Sequence, residues 1–238
     1  MRILALTHED TDPPQVFGEV VRERGHELDE HSPVEGEPPR RIEEYDGVIV
    51  LGGTMDTHQE DLHPWLRGEK RVLRDALARD VPVFGICLGG QLLAEAAGAP
   101  VRELPRAEIG WYDVELTGDA AEDPVFAGLP ERFTSYQWHK YSFGVPDGAV
   151  LLARNENAPQ AFRVNGSAWG VQFHPEVTPI VLDTWIEHYD TDPNAQALGL
   201  EAKQGKADAR DRIGRWNDIG RELCGRFLDF AASRRGRD

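Results

Sequence analysis

The sequence is poor in cysteine and has no long hydrophobic run. Its 238 residues include two cysteines, Cys87 and Cys224, which are too few and too far apart for a disulfide framework or a metal-ligand cluster. No apolar run approaches the roughly 20 residues of a membrane span, and the chain opens on a short apolar run rather than the longer one of a signal peptide. These absences favour a cytoplasmic protein, in which a reactive thiol stays reduced.

Basic residues are outnumbered by acidic ones. The chain has 26 lysines and arginines and 42 aspartates and glutamates, which gives a formal net charge of −16 at pH 7. Such a surface repels phosphate groups, which argues against nucleic acid or an anionic membrane as the main partner. The apolar fraction of 40% suits a globular protein with a sizeable core. The length suffices for one α/β domain with appended elements, or for two small domains.

The first hundred residues alternate between short apolar runs and amphipathic stretches. We predict strands at 2–6, 45–51 and 81–84, helices at 14–24 and 65–77, and a polar loop at 31–40. Strands that alternate with helices at crossover spacing form parallel sheets with helices on both faces. The pattern therefore predicts an α/β fold with a flavodoxin-like, doubly wound and mostly parallel central sheet.

After Gly98, short strands follow one another with turns between them. They are predicted at 110–116, 132–136, 150–154, 160–164 and 168–173, with Asn165-Gly166 as the hairpin turn between the last two. This half is expected to be an antiparallel extension that returns to the central sheet through its last strand. A polar segment at 190–208 is interrupted by Pro193 and Gly199, which indicates a mobile connection.

The C-terminal residues carry a stripe of apolar side chains at helical spacing. The stripe consists of Ile213, Trp216, Ile219, Leu223, Phe227 and Phe230. A helix with such a stripe can bury it against a neighbouring core. We therefore predict a domain of residues 1–190 and a C-terminal helical extension, 191–238, that packs on the same domain.

A cysteine lies between two glycines where a predicted strand meets a predicted helix. The segment reads Gly85-Ile86-Cys87-Leu88-Gly89-Gly90-Gln91 and lies between the strand at 81–84 and a helix at 92–97. This is the context of a nucleophile elbow, whose glycines permit a turn that a Cβ would obstruct. Amides at the helix N-terminus favour the thiolate. A buried structural cysteine is the alternative, but the paired glycines favour Cys87 as a nucleophile.

A histidine at the end of a later strand can serve as the base that a thiol nucleophile needs. The segment reads Gly170-Val171-Gln172-Phe173-His174-Pro175-Glu176. His174 would project from the strand tip, Pro175 would stop the strand, and Glu176 would turn back to hold the imidazole. The alternative is a surface turn with a chance His-x-Glu pair. Together with the elbow, the segment predicts a Cys87–His174–Glu176 triad.

The two segments together resemble the class I, triad-type glutamine amidotransferases. The likeness covers roughly residues 1–190 and is nearest to the stand-alone relatives of the GMP synthase glutaminase domain. The resemblance implies that Cys87 attacks the side-chain amide of glutamine, which forms a γ-glutamyl thioester and releases ammonia. It also implies that His174 acts as base and acid and that Glu176 holds His174. We predict no metal and no cofactor.

The tetrahedral intermediate of such a reaction needs amide donors for its oxyanion. Elbow geometry makes the backbone amide of Leu88 one candidate donor. The resemblance implies that the glycine pair after the second strand supplies another at Gly53, with Gly52 beside the substrate. The family's usual proline after this pair is replaced by Thr54. A plain turn is the alternative interpretation of a Gly-Gly pair after a strand.

Three further residues are predicted to line the substrate pocket. Gln91 lies one helical turn after Cys87 and, by the resemblance, beside the bound glutamine. Trp138 and His139 belong to a segment that resembles the family's pocket loop, and the alternative is that they are ordinary strand-end residues. The Gly-Asp pair that usually follows the histidine is replaced by Lys140-Tyr141. This replacement leaves open whether free glutamine is the small-molecule substrate.

Three functions are compatible with these residues. The first is glutamine hydrolysis, and because the sequence has no phosphate-binding loop, ATP-dependent use of the ammonia would need a partner synthetase. The second is a γ-glutamyl peptidase or hydrolase with the same thioester chemistry, which the Lys140-Tyr141 replacement favours. The third, a non-catalytic regulator, is disfavoured because Cys87, His174 and Glu176 are all present.

Overall fold

The computed structural model describes residues 1–8, 13–34, 36 and 41–235. Within these ranges the strands are β1 (Arg2–Leu6), β2 (Glu27–His31), β3 (Gly47–Val50), β4 (Val83–Ile86), β5 (Val101–Leu116), β6 (Arg132–Phe143), β7 (Val150–Arg154), β8 (Pro159–Val164) and β9 (Ala168–Val171). The α-helices are α1 (Gln15–Glu23), α2 (Trp65–Ala78), α3 (Leu88–Ala96), α4 (Pro179–Glu187), α5 (Pro193–Ala197) and α6 (Ala202–Arg234). Short 3₁₀ helices occupy Ile42–Glu44, Gly118–Glu122 and His188–Asp190.

The strands form one sheet with a parallel half and an antiparallel half. Their order across the sheet is β2-β1-β3-β4-β9-β8-β7-β5-β6. The pairs from β2 to β9 are parallel, and the pairs from β9 to β6 are antiparallel. Asn165 and Gly166 have φ values of +52° and +75°, as the predicted turn between β8 and β9 requires. The predicted doubly wound sheet with an antiparallel extension is confirmed.

The parallel half of the sheet is covered by helices on both faces. All residues of β3 and β4 are buried, as expected for apolar strands between two layers of helices. Side chains of α1, α4 and α6 belong to the core on one face, and those of α2 and α3 belong to the core on the other. The carboxyl ends of β3, β4 and β9 lie side by side at one edge, where open α/β sheets bind their ligands.

Several strand boundaries differ from the sequence prediction. β2 was missed because it is a polar edge strand that pairs only with β1. β5 begins at Val101 rather than at residue 110, and β6 continues to Phe143 rather than ending at residue 136. Polar and charged residues interrupt the apolar pattern of both strands, so the pattern of apolar residues does not predict their full length. Of the predicted loop at 31–40, His31 belongs to β2, and residues 35 and 37–40 lie outside the described residues.

The segment 190–208, predicted to be a polar, mobile connection broken by Pro193 and Gly199, contains helix. α5 and the first turns of α6 lie within it, and Gly199 separates them with a φ of +71°. The sequence interpretation missed α5, which begins where the Asp192 side chain accepts hydrogen bonds from the amides of Asn194 and Ala195 and so caps the helix. α6 packs along α1 and the sheet with its apolar stripe, while the domain boundary at residue 190 stays a prediction. None of the described helices is long and apolar enough to cross a membrane.

Candidate active site

Cys87 occupies a strained turn between β4 and α3. Its φ is +50° and its ψ is −106°, a combination that residues with a side chain rarely adopt. Its backbone amide donates to the carbonyl of Val171 at the end of β9 over 2.8 Å. The residue is 5% exposed. The elbow therefore presents the sulfur at the edge where β4 and β9 end, as the sequence predicts.

The glycines of the elbow allow helix α3 to lie directly on the sheet. A Cβ on Gly85 would lie 2.5 Å from the carbonyl oxygen of Gly89, and one on Gly90 would lie 2.7 Å from that of Val171. A Cβ on Gly89 would overlap the carbonyl oxygen of Val50. These glycines are therefore required for close backbone approach as well as for the turn itself.

Because of the strain at Cys87, glycine at this position is expected to stabilise the fold more than alanine does. The Cys87→Gly variant is expected to be more stable than the Cys87→Ala variant by about 1–2 kcal/mol, because glycine adopts positive φ without a Cβ penalty. Urea unfolding of both variants measures the difference. The control is Ala207→Gly on the exposed side of α6, where glycine should cost about 1 kcal/mol in the usual direction. Equal stabilities of the two Cys87 variants would contradict strain at the elbow.

His174 and Glu176 form a buried pair directly after β9. Nδ1 of His174 lies 2.8 Å from Oε1 of Glu176, and the two residues are 3% and 0% exposed. Because a carboxylate accepts hydrogen bonds, Nδ1 carries the donated proton and Nε2 is directed away from the pair. Nε2 makes no hydrogen bond to the described part of the chain. The His174 ring meets Trp185 edge-on, with ring centroids 4.9 Å apart.

The charges around His174 favour its protonated form. Burial lowers the pKa of the imidazole, but the Glu176 carboxylate and the neighbouring Cys87 thiol group oppose burial and raise that pKa well above its ordinary value. Cys87 lies close to this segment, since its backbone amide donates to the Val171 carbonyl and Nε2 of Gln172 points to its sulfur over 3.7 Å. The Cys87 elbow and the His174–Glu176 pair therefore lie at the same end of β4 and β9, as the predicted triad requires.

Replacing Glu176 by glutamine is expected to lower the pKa of His174, because the substitution removes the negative charge that favours the imidazolium. An NMR titration of the His174 ring in a Cys87→Ala background measures this change without a contribution from the thiol. Glu108→Gln is the matched control, since that carboxylate faces a different histidine, His139. An unchanged or higher pKa in the Glu176→Gln protein would show that the carboxylate does not act on the ring.

The turn that carries His174 is held by the C-terminal helix. Nε1 of Trp216 in α6 donates to the carbonyl of His174 over 2.7 Å. Gly220, one turn further along α6, lies so close to Pro175 that a Cβ there would overlap the Pro175 carbonyl oxygen. The apolar stripe predicts Trp216 as a packing residue, but its polar contact to the turn has no local sequence signal. The C-terminal extension is thus part of the support for the site.

Two polar groups flank the sulfur of Cys87. The Cys87 thiol points to the carbonyl of Trp138 over 3.8 Å, and Nε2 of Gln172 points to the sulfur over 3.7 Å. Gln91 lies next in this chain of contacts, since its Nε2 donates to Oε1 of Gln172 over 3.4 Å and to the carbonyl of Tyr141 over 2.9 Å. The predicted pocket residues Gln91 and Trp138 are therefore close to Cys87. Gln172 was not predicted, although a buried glutamine beside the His-x-Glu segment is a usable signal.

His139 lies in strand β6 rather than in a loop and belongs to a buried polar network. Its Nδ1 donates to the Tyr141 carbonyl over 2.9 Å, and its Nε2 lies 3.0 Å from Oε2 of Glu108. Burial raises the pKa of Glu108, but the facing His139 and two asparagine amides hold it below its ordinary value. Gln91 donates to the same Tyr141 carbonyl, so His139 and this predicted pocket residue share one backbone acceptor.

The loop after β3 lies against the elbow. The amide of Gly89 donates to the carbonyl of Leu51 over 3.2 Å, which ties the loop to the start of α3. A Cβ on Gly53 would lie 2.9 Å from Cδ2 of Leu88. The two predicted oxyanion donors, Gly53 and Leu88, are therefore neighbours, with Gly52 beside them. Their role as donors stays a prediction.

Within the described ranges, no group of three or more His, Cys, Asp or Glu residues could hold a metal ion.

The protein combines a mixed sheet between layers of helices with a cysteine elbow and a buried His-x-Glu pair. Comparison with known proteins identifies the family that shares this fold. The class-I glutamine amidotransferase family model matches residues 19–187. A crystal structure of a glutamine amidotransferase from Thermotoga maritima superposes with a TM-score of 0.86 at 31% identity, covering 96% of this chain and 98% of that one. The chain belongs to the class-I glutamine amidotransferase family.

Curated relatives differ in how much of their length the chain spans. The glutamine amidotransferase-like protein YfeJ of Salmonella typhimurium is 30% identical over 96% of both chains. A glutamine-hydrolysing GMP synthase of Thermomicrobium roseum is 38% identical over 71% of this chain but only 31% of its own length. A γ-glutamyl-L-1-hydroxyisopropylamide hydrolase of a Pseudomonas species is 31% identical over 56% of this chain and 48% of its own. The chain therefore spans about a third of the GMP synthase.

Proposed function

We propose that the protein hydrolyses the side-chain amide of glutamine through a γ-glutamyl thioester on Cys87 and releases glutamate and ammonia. The observation that carries this proposal is a strained elbow at Cys87 together with a buried His174 whose Nδ1 lies 2.8 Å from Oε1 of Glu176. Membership of the class-I glutamine amidotransferase family supports the same reaction.

The first half-reaction acylates the enzyme. The sulfur of Cys87 attacks the side-chain carbonyl carbon of glutamine, and the thiol proton resides on Nε2 of His174. Charge then develops on the carbonyl oxygen, where the backbone amides of Gly53 and Leu88 are the proposed donors. The carbon–nitrogen bond breaks as His174 returns its proton to the leaving nitrogen, which departs as ammonia. Glu176 keeps the imidazole oriented and stabilises its charged form.

The second half-reaction releases glutamate. His174 takes a proton from a water molecule, and the resulting hydroxide attacks the thioester carbon. Collapse of the second tetrahedral intermediate breaks the carbon–sulfur bond. His174 then returns its proton to the sulfur, which regenerates the Cys87 thiol. Gln91 and the backbone around Trp138 are the proposed contacts of the substrate beside the nucleophile. The Trp138 carbonyl lies 3.8 Å from the sulfur, and Gln91 contacts Gln172, whose Nε2 points to the sulfur.

The fate of the ammonia depends on a partner. In the GMP synthase relative, the matching region is about a third of the chain, so the remainder of that protein has no counterpart in these residues. We propose that a separate synthetase subunit receives the ammonia if the product is used for synthesis.

A γ-glutamyl hydrolase is the second candidate function. Lys140 forms an ion pair with Glu103 at 2.8 Å, and the Tyr141 ring packs against His58 with centroids 5.3 Å apart. A Gly-Asp pair at these positions could make neither contact, so this part of the pocket differs from the usual family pattern. The Pseudomonas γ-glutamyl amide hydrolase is a relative with the corresponding chemistry. Larger γ-glutamyl amides are the substrates that this candidate predicts.

Side-by-side turnover of glutamine and of γ-glutamyl amides tests the proposal. Glutamate release is measured for glutamine, for a γ-glutamyl dipeptide and for a γ-glutamyl alkylamide, with the Cys87→Ala protein as the blank. Preference for glutamine supports the glutaminase, and preference for the two larger amides supports the hydrolase. Release that persists in the Cys87→Ala protein would contradict both.

A further inference from the structure

A second buried histidine–glutamate pair lies against the loop that follows β3. His8, two residues after the end of β1, is 2% exposed, and Glu69 in α2 is 0% exposed. Nδ1 of His8 lies 2.6 Å from the carbonyl oxygen of Gly52, and Nε2 lies 3.0 Å from both carboxylate oxygens of Glu69. The ring also stacks on Trp65, with centroids 5.3 Å apart and 14° between the planes. The imidazole is therefore fixed on every side.

The groups that face the two ring nitrogens of His8, the Gly52 carbonyl and the Glu69 carboxylate, are both hydrogen-bond acceptors. A carbonyl oxygen can only accept, so Nδ1 donates to Gly52. Two equal contacts from the Glu69 carboxylate fix the ring in its plane from the other side, as outer carboxylates do for functional histidines. His8 therefore presents one directed N–H donor to the Gly52 carbonyl.

We propose that His8, held by Glu69, is a positioning residue that keeps the Gly53 amide directed at the oxyanion. In a trans peptide the carbonyl of one residue and the amide N–H of the next point in opposite directions. A hydrogen bond that holds the Gly52 carbonyl toward His8 therefore directs the Gly53 N–H away from His8. Gly53 lies against Leu88, the elbow residue beside Cys87. The inference rests on the proposed function, in which this N–H binds the oxyanion.

The hydrogen bond from His8 to the Gly52 carbonyl, which we call the clamp, is needed because of the glycine pair Gly52-Gly53. A peptide between two glycines rotates with little steric hindrance, because neither residue has a Cβ. Without the His8 hydrogen bond, this peptide can turn its carbonyl toward the site and withdraw the donor. Removing one oxyanion donor typically costs about 10²–10³-fold in kcat. Loosening it should cost less, and we expect a fall of about 10–10²-fold in kcat with little change in KM.

Two double variants isolate the hydrogen bond from the buried charge. Both carry Glu69→Leu, so that no carboxylate is left buried without its partner. One adds His8→Asn, whose amide nitrogen is attached at the same position as Nδ1 and can still donate to Gly52, and the other adds His8→Leu, which cannot. The expected result is that the asparagine double variant keeps kcat within about 5-fold of the native protein, while the leucine double variant loses about 10–10²-fold.

Two further readouts separate this role from a structural one. Iodoacetamide alkylation of Cys87 forms no oxyanion, so its rate should be equal in both double variants, whereas hydrolysis of p-nitrophenyl acetate should fall only with His8→Leu. His26→Leu, placed just before β2, is the control for the same substitution away from the site.

If the native protein turns over no γ-glutamyl compound, the proposed function fails, and ester hydrolysis still tests the clamp. Equal kcat and equal ester hydrolysis in the two double variants, or an alkylation rate that falls with turnover, would overturn it.

Discussion

Substitution of Cys87 by serine is expected to lower glutamate release by about 10³-fold or more while leaving the fold intact. A serine hydroxyl is far less acidic than a thiol, so the His174–Glu176 pair cannot generate an equivalent nucleophile. The elbow glycines and the hydrogen bond from residue 87 to Val171 involve the backbone alone, so the turn should survive the change. Steady-state kinetics and a circular dichroism spectrum of the variant test both parts of this expectation.

Cys224 supplies the matched control for that experiment. It is 0% exposed in α6, its thiol points to the carbonyl of Phe17 over 3.6 Å, and burial raises its pKa. Such a thiol stays protonated and unreactive. Cys224→Ala should therefore retain turnover and should not change alkylation at Cys87. A Cys87→Ser protein with turnover near the native rate, or a Cys224→Ala protein without turnover, would contradict the assignment of the nucleophile.

Replacement of Gly220 by alanine is expected to lower the free energy of unfolding by about 3 kcal/mol and turnover by about 10²-fold. The added Cβ would overlap the carbonyl oxygen of Pro175, which is backbone and cannot rotate out of the way. Relief requires α6 or the turn to move, and Trp216 then loses its geometry with the His174 carbonyl. A displaced His174 no longer meets the sulfur of Cys87. Urea unfolding and glutamate-release kinetics measure the two effects.

Gly214 on the same helix provides the opposite expectation. A Cβ there would meet no atom within 4 Å, and the residue is exposed. Alanine favours helix over glycine, so Gly214→Ala should raise the free energy of unfolding by about 0.5–1 kcal/mol and leave turnover unchanged. If the two glycine substitutions behaved alike, the contact between α6 and the His174 turn would not support the site.

The features that the sequence predicts correctly are those with a local signal. The elbow places glycines at fixed offsets from Cys87, and the His-x-Glu segment places its carboxylate two residues from its imidazole. Apolar runs of the parallel strands also stand out, because both of their faces are buried. A short window of sequence contains the whole physical reason for each of these features, and the structure agrees with the predicted turn and sheet.

The features that the sequence does not reveal depend on partners far apart in the chain. His8 meets Glu69, which lies 61 residues away, and Nε1 of Trp216 meets the His174 carbonyl, which lies 42 residues away. His139 was predicted for a pocket loop, but its strand continues through it because β5 supplies the pairing partner. No spacing rule joins such residues. A polar side chain at the end of a buried strand, as at His8, is the one sequence signal that could have indicated the clamp.

Detection of an acyl group on Cys87 is the most direct test of the proposed reaction. The native protein is mixed with glutamine, quenched in acid during turnover, digested and analysed by mass spectrometry. A γ-glutamyl adduct is expected on the peptide that contains Cys87, and no adduct is expected on the peptide that contains Cys224. Glutamate release without any adduct on Cys87, continuing at the native rate in the Cys87→Ala protein, would contradict the proposed reaction.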